Sequence, residues 1–182
     1  MLAVLDEKDW FYMEYISDME SLCVASYNGL IVMVDLNNGD VKEFGSMEDG
    51  GGIKAMSWSA GTEMVAILTN NDMLLTLSNE ADVLMEVPLL TPLIPMYTAS
   101  IIWRADGKYL IINGVWEESE GCEKGERYIH VFTSTTLEQV YVGRNEDGST
   151  VNGIDTVMAW STNGSLICIC IFSLYQILSL SL

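Results

Sequence analysis

Three stretches of this chain repeat one phrase. MSWSAGTEMVAIL begins at Met56, IIWRADGKYLII at Ile101 and MAWSTNGSLICI at Met158. Each has an apolar residue two before a tryptophan, then a small polar turn, then an apolar run. The tryptophans, Trp58, Trp103 and Trp160, are 45 and 57 residues apart. Recurrence at such intervals constrains the fold more than composition does. Each copy specifies the same local unit, and no copy can bury its apolar face alone.

The surrounding chain says what that unit is. Short apolar runs are separated by Asn-Gly, Asp-Gly and Gly-Gly punctuation, and no long helical period intervenes. The runs fall into groups of about four. WFYMEYI, SLCVAS, LIVMVDL and DVKEFG form the first, IKAMSWS, EMVAILT, MLLTLS and DVLMEV the second. SIIWR, KYLIING, RYIHVF and LEQVYVG form the third; the fourth opens with DTVMAWS and SLICICIF and then fades. Groups of four strands at a repeat of ~40–45 residues predict propeller blades. The longer second spacing is absorbed by the acidic insertion VWEESEGCEKGE, whose Glu117, Glu118, Glu120, Glu123 and Glu126 read as a solvated hairpin tip. PLLTPLIPMYTA, with Pro88, Pro92 and Pro95, reads as an inter-blade connection. The expected fold is all-β: an incomplete propeller of about three to four blades of four antiparallel strands. The blades are expected at about 10–45, 53–87, 100–143 and 154–172, within a partial propeller over 1–172. Residues 173–182 are left as an apolar tail of open status.

In such a blade the phrase is an inner hairpin. Its strands are covered on both faces, so VAIL, YLII and LICICI read as continuous apolar runs. The tryptophans then serve as packing. The blade residues singled out are Trp58, Trp103, Asp106, Gly107, Trp160 and Gly164.

Reactive chemistry is sparse. The single histidine, His130, sits in the strand-like RYIHVF, and one histidine builds neither a triad nor a His-based zinc site. The cysteines, Cys23, Cys122, Cys168 and Cys170, include no CxxC pair and suggest a reducing compartment. No phosphate-cradling glycine pattern occurs, and the acidic run lacks calcium-loop spacing. No catalytic residue, cofactor or metal is expected. The net charge of −18, from 26 acidic and 8 basic residues, repels phosphate backbones and anionic headgroups, so direct nucleic-acid contact is not expected. It reads first as a solubility device and second as a surface for a basic partner.

The phrases also carry a family likeness. MESLCVASYNGLIVMVDLNNGDVKEFGSMEDGGGIKAMSWSAGTEMVAILTNNDMLLTLS resembles an amino-terminal stretch of the largest subunit of the Elongator complex. IIWRADGKYLII resembles that family's WRGDG phrase, with Ala105 where glycine is usual. MAWSTNGSLICI resembles its AWxPSGSLI phrase, with Thr162 and Asn163 in place of Pro and Ser. The likeness runs over roughly Met13 to Ile169. It implies WD40-type propellers in a non-catalytic scaffold subunit, with the other Elongator subunits as partners. The complex modifies the wobble uridine of tRNA, and its radical and acetyl-transfer chemistry belongs to a different subunit. Residence in the cytoplasm, and also in the nucleus, would follow. A seven-bladed ring needs about 300 residues at this repeat length, so the chain reads as a fragment. Two alternatives stand beside this reading. One is a propeller-like interaction module of another pathway. The other is a tail-anchored membrane protein, since Leu166–Leu182 is a charge-free apolar run of 17 residues. MLAVLDEKDWF at the start lacks the features of a secretory signal.

Overall fold

The computed structural model describes residues 10–49, 51–90, 93, 99–117, 125–144, 156–162, 164, 166–171 and 174–179. Strand follows strand throughout. The first sheet holds β1 (Trp10–Ile16), β2 (Ser21–Ser26), β3 (Leu30–Asp35) and β4 (Val41–Ser46), with one turn of 3-10 helix at Ser17–Met19. The second holds β5 (Ile53–Ser59), β6 (Met64–Thr69), β7 (Met73–Ser78) and β8 (Val83–Pro88). The third holds β9 (Ser100–Trp103), β10 (Tyr109–Glu117), β11 (Gly125–Thr133) and β12 (Gln139–Arg144). The fourth has three strands: β13 (Thr156–Trp160), β14 (Leu166–Ile171) and β15 (Leu174–Ser179). Within every sheet the strands pair antiparallel in chain order. Among the described residues no α-helix is present. The all-β, incomplete propeller expected from the sequence is therefore the fold observed.

The fourth group does not fade at residue 172. Ile171 pairs with Leu174 across a tight reversal, and the ladder runs on to Leu166 opposite Ser179. The stretch weighed as a helical anchor thus contains two strands. Among the described residues no helix is long and apolar enough to cross a membrane. Glu118, Glu120 and Glu123 of the acidic insertion, and most of the proline-rich connection, lie outside the described residues.

The chain divides into two compact units, Met1–Pro88 and Leu89–Leu182. In the first, two sheets share one core. Ile16, Cys23, Ala25, Ile31 and Met33 of the first sheet meet Ile53, Met56, Trp58, Val65, Ile67 and Leu77 of the second. In the second unit, Ile111, Ile129 and Val131 meet Met158 and Ile167, flanked by Ile102, Tyr109 and Trp160. Each such Val, Ile or Leu contributes about 1.5–3 kcal/mol when fully buried. Burial falls off outward. Val65–Thr69 of β6 and Leu110–Val115 of β10 are buried without a break, whereas β8 is half exposed and Gln139–Val142 of β12 are exposed throughout. A continuous apolar run thus marks a strand covered on both faces, as the VAIL and YLII runs suggested.

Bulges recur at matching places. The last strand of each four-stranded sheet carries one extra residue: Phe44 in β4, Leu84 in β8 and Val140 in β12. The first strands of the first two sheets carry one each, Phe11 and Lys54. Phe11 stacks on Tyr27 of the β2–β3 turn at 4.4 Å between ring centroids. Lys54 forms an ion pair with Asp72 of the β6–β7 turn at 2.7 Å, with its side chain 7% exposed. One slot is filled by an aromatic stack in the first sheet and by a charge pair in the second.

The connection from β4 to β5 sets how the second sheet docks on the first. Met47 N–H donates to the Gly29 carbonyl (2.9 Å) and Ile53 N–H to the Tyr27 carbonyl (3.2 Å). On the other side, Asn70 N–H donates to the Gly52 carbonyl (3.1 Å) and Asn70 Nδ2 to the Gly51 carbonyl (2.8 Å). Gly52 has φ +95°, and a Cβ there would lie 2.2 Å from the Tyr27 carbonyl oxygen. No side chain fits. Gly52→Ala is expected to destabilise the chain by roughly 1–3 kcal/mol in urea unfolding. Gly45→Ala, where an added methyl meets nothing within 4 Å, is expected to change stability by less than about 0.5 kcal/mol.

Candidate functional site

The site that the repeated phrases build is a set of seams between neighbouring sheets. In the first unit the seam carries a polar staple. Tyr12 and Glu14 are two apart on β1, so the period of the strand points both side chains to one face. The Tyr12 hydroxyl donates to Glu14 Oε2. Trp58 N–H donates to both, at 3.2 Å to Tyr12 Oη and 3.2 Å to Glu14 Oε2. β5 is the edge of its sheet, where outward backbone donors lack a ladder partner. Side chains of the neighbouring sheet supply that partner. Trp58 thus serves twice: its indole fills the core and its backbone amide holds the staple.

The staple sits in apolar surroundings. Burial, then the hydrogen bond and negative charge of Glu14, push the Tyr12 hydroxyl above its ordinary pKa. Burial, with Glu14 adding to it, pushes the Cys23 thiol up to about 12. Cys23 is therefore a protonated core residue at neutral pH, not an activated thiolate.

In the second unit the seam is made by turns. Trp103 ends β9, and Arg104 N–H donates to the Tyr109 carbonyl (2.9 Å) to open the hairpin. Gly107, at φ +69°, closes it by donating to the Arg104 carbonyl (2.8 Å). Asp106 locks the turn, accepting from Lys108 N–H (3.1 Å) and gripping Arg104 through Nε (2.8 Å) and a terminal guanidinium nitrogen (2.6 Å). The guanidinium lies over the Tyr109 ring, 4.3 Å from its centroid. Its alkyl chain packs on the turn between β13 and β14. There Gly164, at φ +69°, donates to the Ser161 carbonyl (2.9 Å), and an added Cβ would lie 3.1 Å from Arg104 Cδ. Trp160 ends β13 and packs on the second core, with its indole N–H buried and unpartnered among the described residues.

The singled-out residues therefore lie at three separate hairpins. Trp58 is in the first unit; Trp103, Asp106, Gly107, Trp160 and Gly164 are in the second, brought together by Arg104. His130 is buried, with Nδ1 2.6 Å from Gln139 Oε1, and burial lowers its pKa. Among the described residues no three His, Cys, Asp or Glu side chains gather as metal ligands. Tyr12, Glu14 and Arg104 escaped the sequence reading. For Tyr12 and Glu14 the only signal was two polar residues alternating within an apolar strand; for Arg104 it was Arg and Asp two apart in a turn.

Two predictions follow from the seams. Tyr12→Phe removes a hydroxyl that both donates and accepts at the staple, and is expected to cost about 1–2 kcal/mol in denaturant unfolding. For Asp106, the Arg104 guanidinium and the Lys108 amide depress the carboxyl from 3.8 to about 2. A depressed folded-state pKa contributes stability that is present above 3.8 and lost as pH falls through about 2. The carboxylate is 41% exposed, so the effect is modest. The stability difference between the native chain and Asp106→Asn, followed by acid titration of unfolding, should be full above the unfolded value and vanish at the acid end.

Comparison with known proteins fits this architecture. Residues 4–97, just over half of the chain, match the family described as ELP1 first N-terminal beta-propeller. Elongator complex protein 1 of Drosophila melanogaster is 33% identical over 87 residues, which is 48% of this chain and 7% of that protein. In fold, the chain resembles the WD40 domain of Toxoplasma gondii coronin with a TM-score of 0.63 at 12% identity, over 89% of this chain and 40% of that one. The chain spans a small part of the Drosophila protein and less than half of the coronin domain. On the strength of the matched segment, which includes both sheets of the first unit and their staple, this chain belongs to the ELP1 first N-terminal beta-propeller family.

Proposed function

We propose that this chain serves as a non-catalytic scaffold segment of the Elongator complex, presenting propeller sheets to the other Elongator subunits. The family match over residues 4–97 supports this reading most strongly. The chemistry of the described residues is in keeping with it. Buried polar groups such as Tyr12 and Cys23 are held in their neutral forms and serve packing. In this reading the complex acts on the wobble uridine of tRNA, and other subunits carry out the reaction. The chain itself makes no direct tRNA contact, because its net charge of −18 opposes a phosphate backbone. It would reside in the cytoplasm and also in the nucleus. Affinity capture of the tagged chain from cells tests the proposal. Recovery of the other Elongator subunits is the expected result, and their absence from the captured material would sink it.

A further inference from the structure

The outer edge of the third sheet differs from its two counterparts. β4 and β8 are also last strands, and each carries charge or proline along with its bulge: Lys42 and Glu43 in β4, Glu86 and Pro88 in β8. Those are the usual means by which an edge is kept from pairing with another chain. β12 has no charged residue from Gln139 to Gly143. Its bulge at Val140 leaves three successive apolar side chains in solvent, with Val140 43%, Tyr141 37% and Val142 45% exposed. The strand is nonetheless held firmly. Val131 pairs with Tyr141, His130 with Val142 and Tyr128 with Arg144, while Gln139 is tied to His130.

The sequence of this edge is self-complementary. Around Tyr141, EQVYVGR reads nearly the same in both directions. Two copies set antiparallel about a two-fold axis at Tyr141 would place Tyr141 opposite Tyr141 and Val140 opposite Val142. Gln139 would face Gly143, and position 138, an exposed Glu, would face position 144, an Arg. Aromatic, β-branched and opposite-charge pairs are the cross-strand combinations that favour a sheet. A two-fold operator uses each of them twice and closes on itself. We infer that β12 is a self-association edge, at which a second copy of this chain pairs to join the two third sheets. The net charge of −18 on each copy is screened beyond about 8 Å at physiological ionic strength, whereas the Glu–Arg pairs act at contact.

The test is a charge reversal with mixing, read by sedimentation velocity at physiological salt over a range of concentrations. The native chain is expected to show a monomer–dimer equilibrium. Glu138→Arg puts Arg opposite Arg, and Arg144→Glu puts Glu opposite Glu, so each variant alone should dimerise about tenfold more weakly or worse. Mixed together, the two variants complement at both positions and should recover dimer. Tyr141→Lys, which places two like charges on the axis, should remain monomeric while keeping the native far-ultraviolet circular dichroism spectrum. A native chain that stays monomeric overturns the inference. So does association that ignores the reversals, or that mixing fails to restore.

Discussion

Every sheet in this chain has two apolar faces, and a neighbouring sheet must cover them. That requirement organises the rest. The second sheet settles on the first through Trp58, Met56, Val65, Ile67 and Leu77, and the fourth meets the third through Met158 and Ile167. Apolar contact is non-directional, so it does not by itself fix where one sheet stops against the next. The directional work falls to a few polar groups. In the first unit these are Tyr12 and Glu14 on the Trp58 amide, with Gly52 beneath the Tyr27 carbonyl. In the second, Arg104 bridges its own turn and the Gly164 turn.

The two devices solve one problem with different chemistry. An edge amide left unsatisfied in a covered seam costs about 1–3 kcal/mol, so a seam near a sheet edge needs acceptors from outside its own sheet. A seam made by hairpin turns can use a side chain fixed by its own loop, and Asp106 fixes Arg104 in that way. The same freedom shows at the bulged residues. Phe11 on Tyr27 and Lys54 on Asp72 occupy matching positions with unrelated interactions. What recurs from sheet to sheet is the geometric demand, and the residue type that meets it varies.

This difference explains what could be read from the sequence. Hairpins announced themselves through Asn28-Gly29, Asn38-Gly39 and the Trp phrases, because turn chemistry and strand alternation are local signals. The staple joins residues 44 and 46 positions apart, and nothing local marks such a pairing. Bulges leave no local signal either, since Phe44, Leu84 and Val140 look like ordinary strand residues. The run after Ile169 was ambiguous for a physical reason. A charge-free apolar segment suits a buried strand and a helix equally until a partner is known, and β14 paired to β15 is that partner. Function was legible only through the order of three phrases, since the seams themselves carry packing rather than reaction chemistry.

The outward fall in burial has a consequence for how such a chain can change. The strands nearest the seams, such as β6 and β10, are committed on both faces, and nearly any substitution there alters a neighbour's packing. The last strand of each four-stranded sheet is bulged and largely free of that commitment. New surface chemistry can therefore be written on every fourth strand while the seams stay as they are. A protein built this way can acquire or lose contacts along its rim, one sheet at a time, without renegotiating its core.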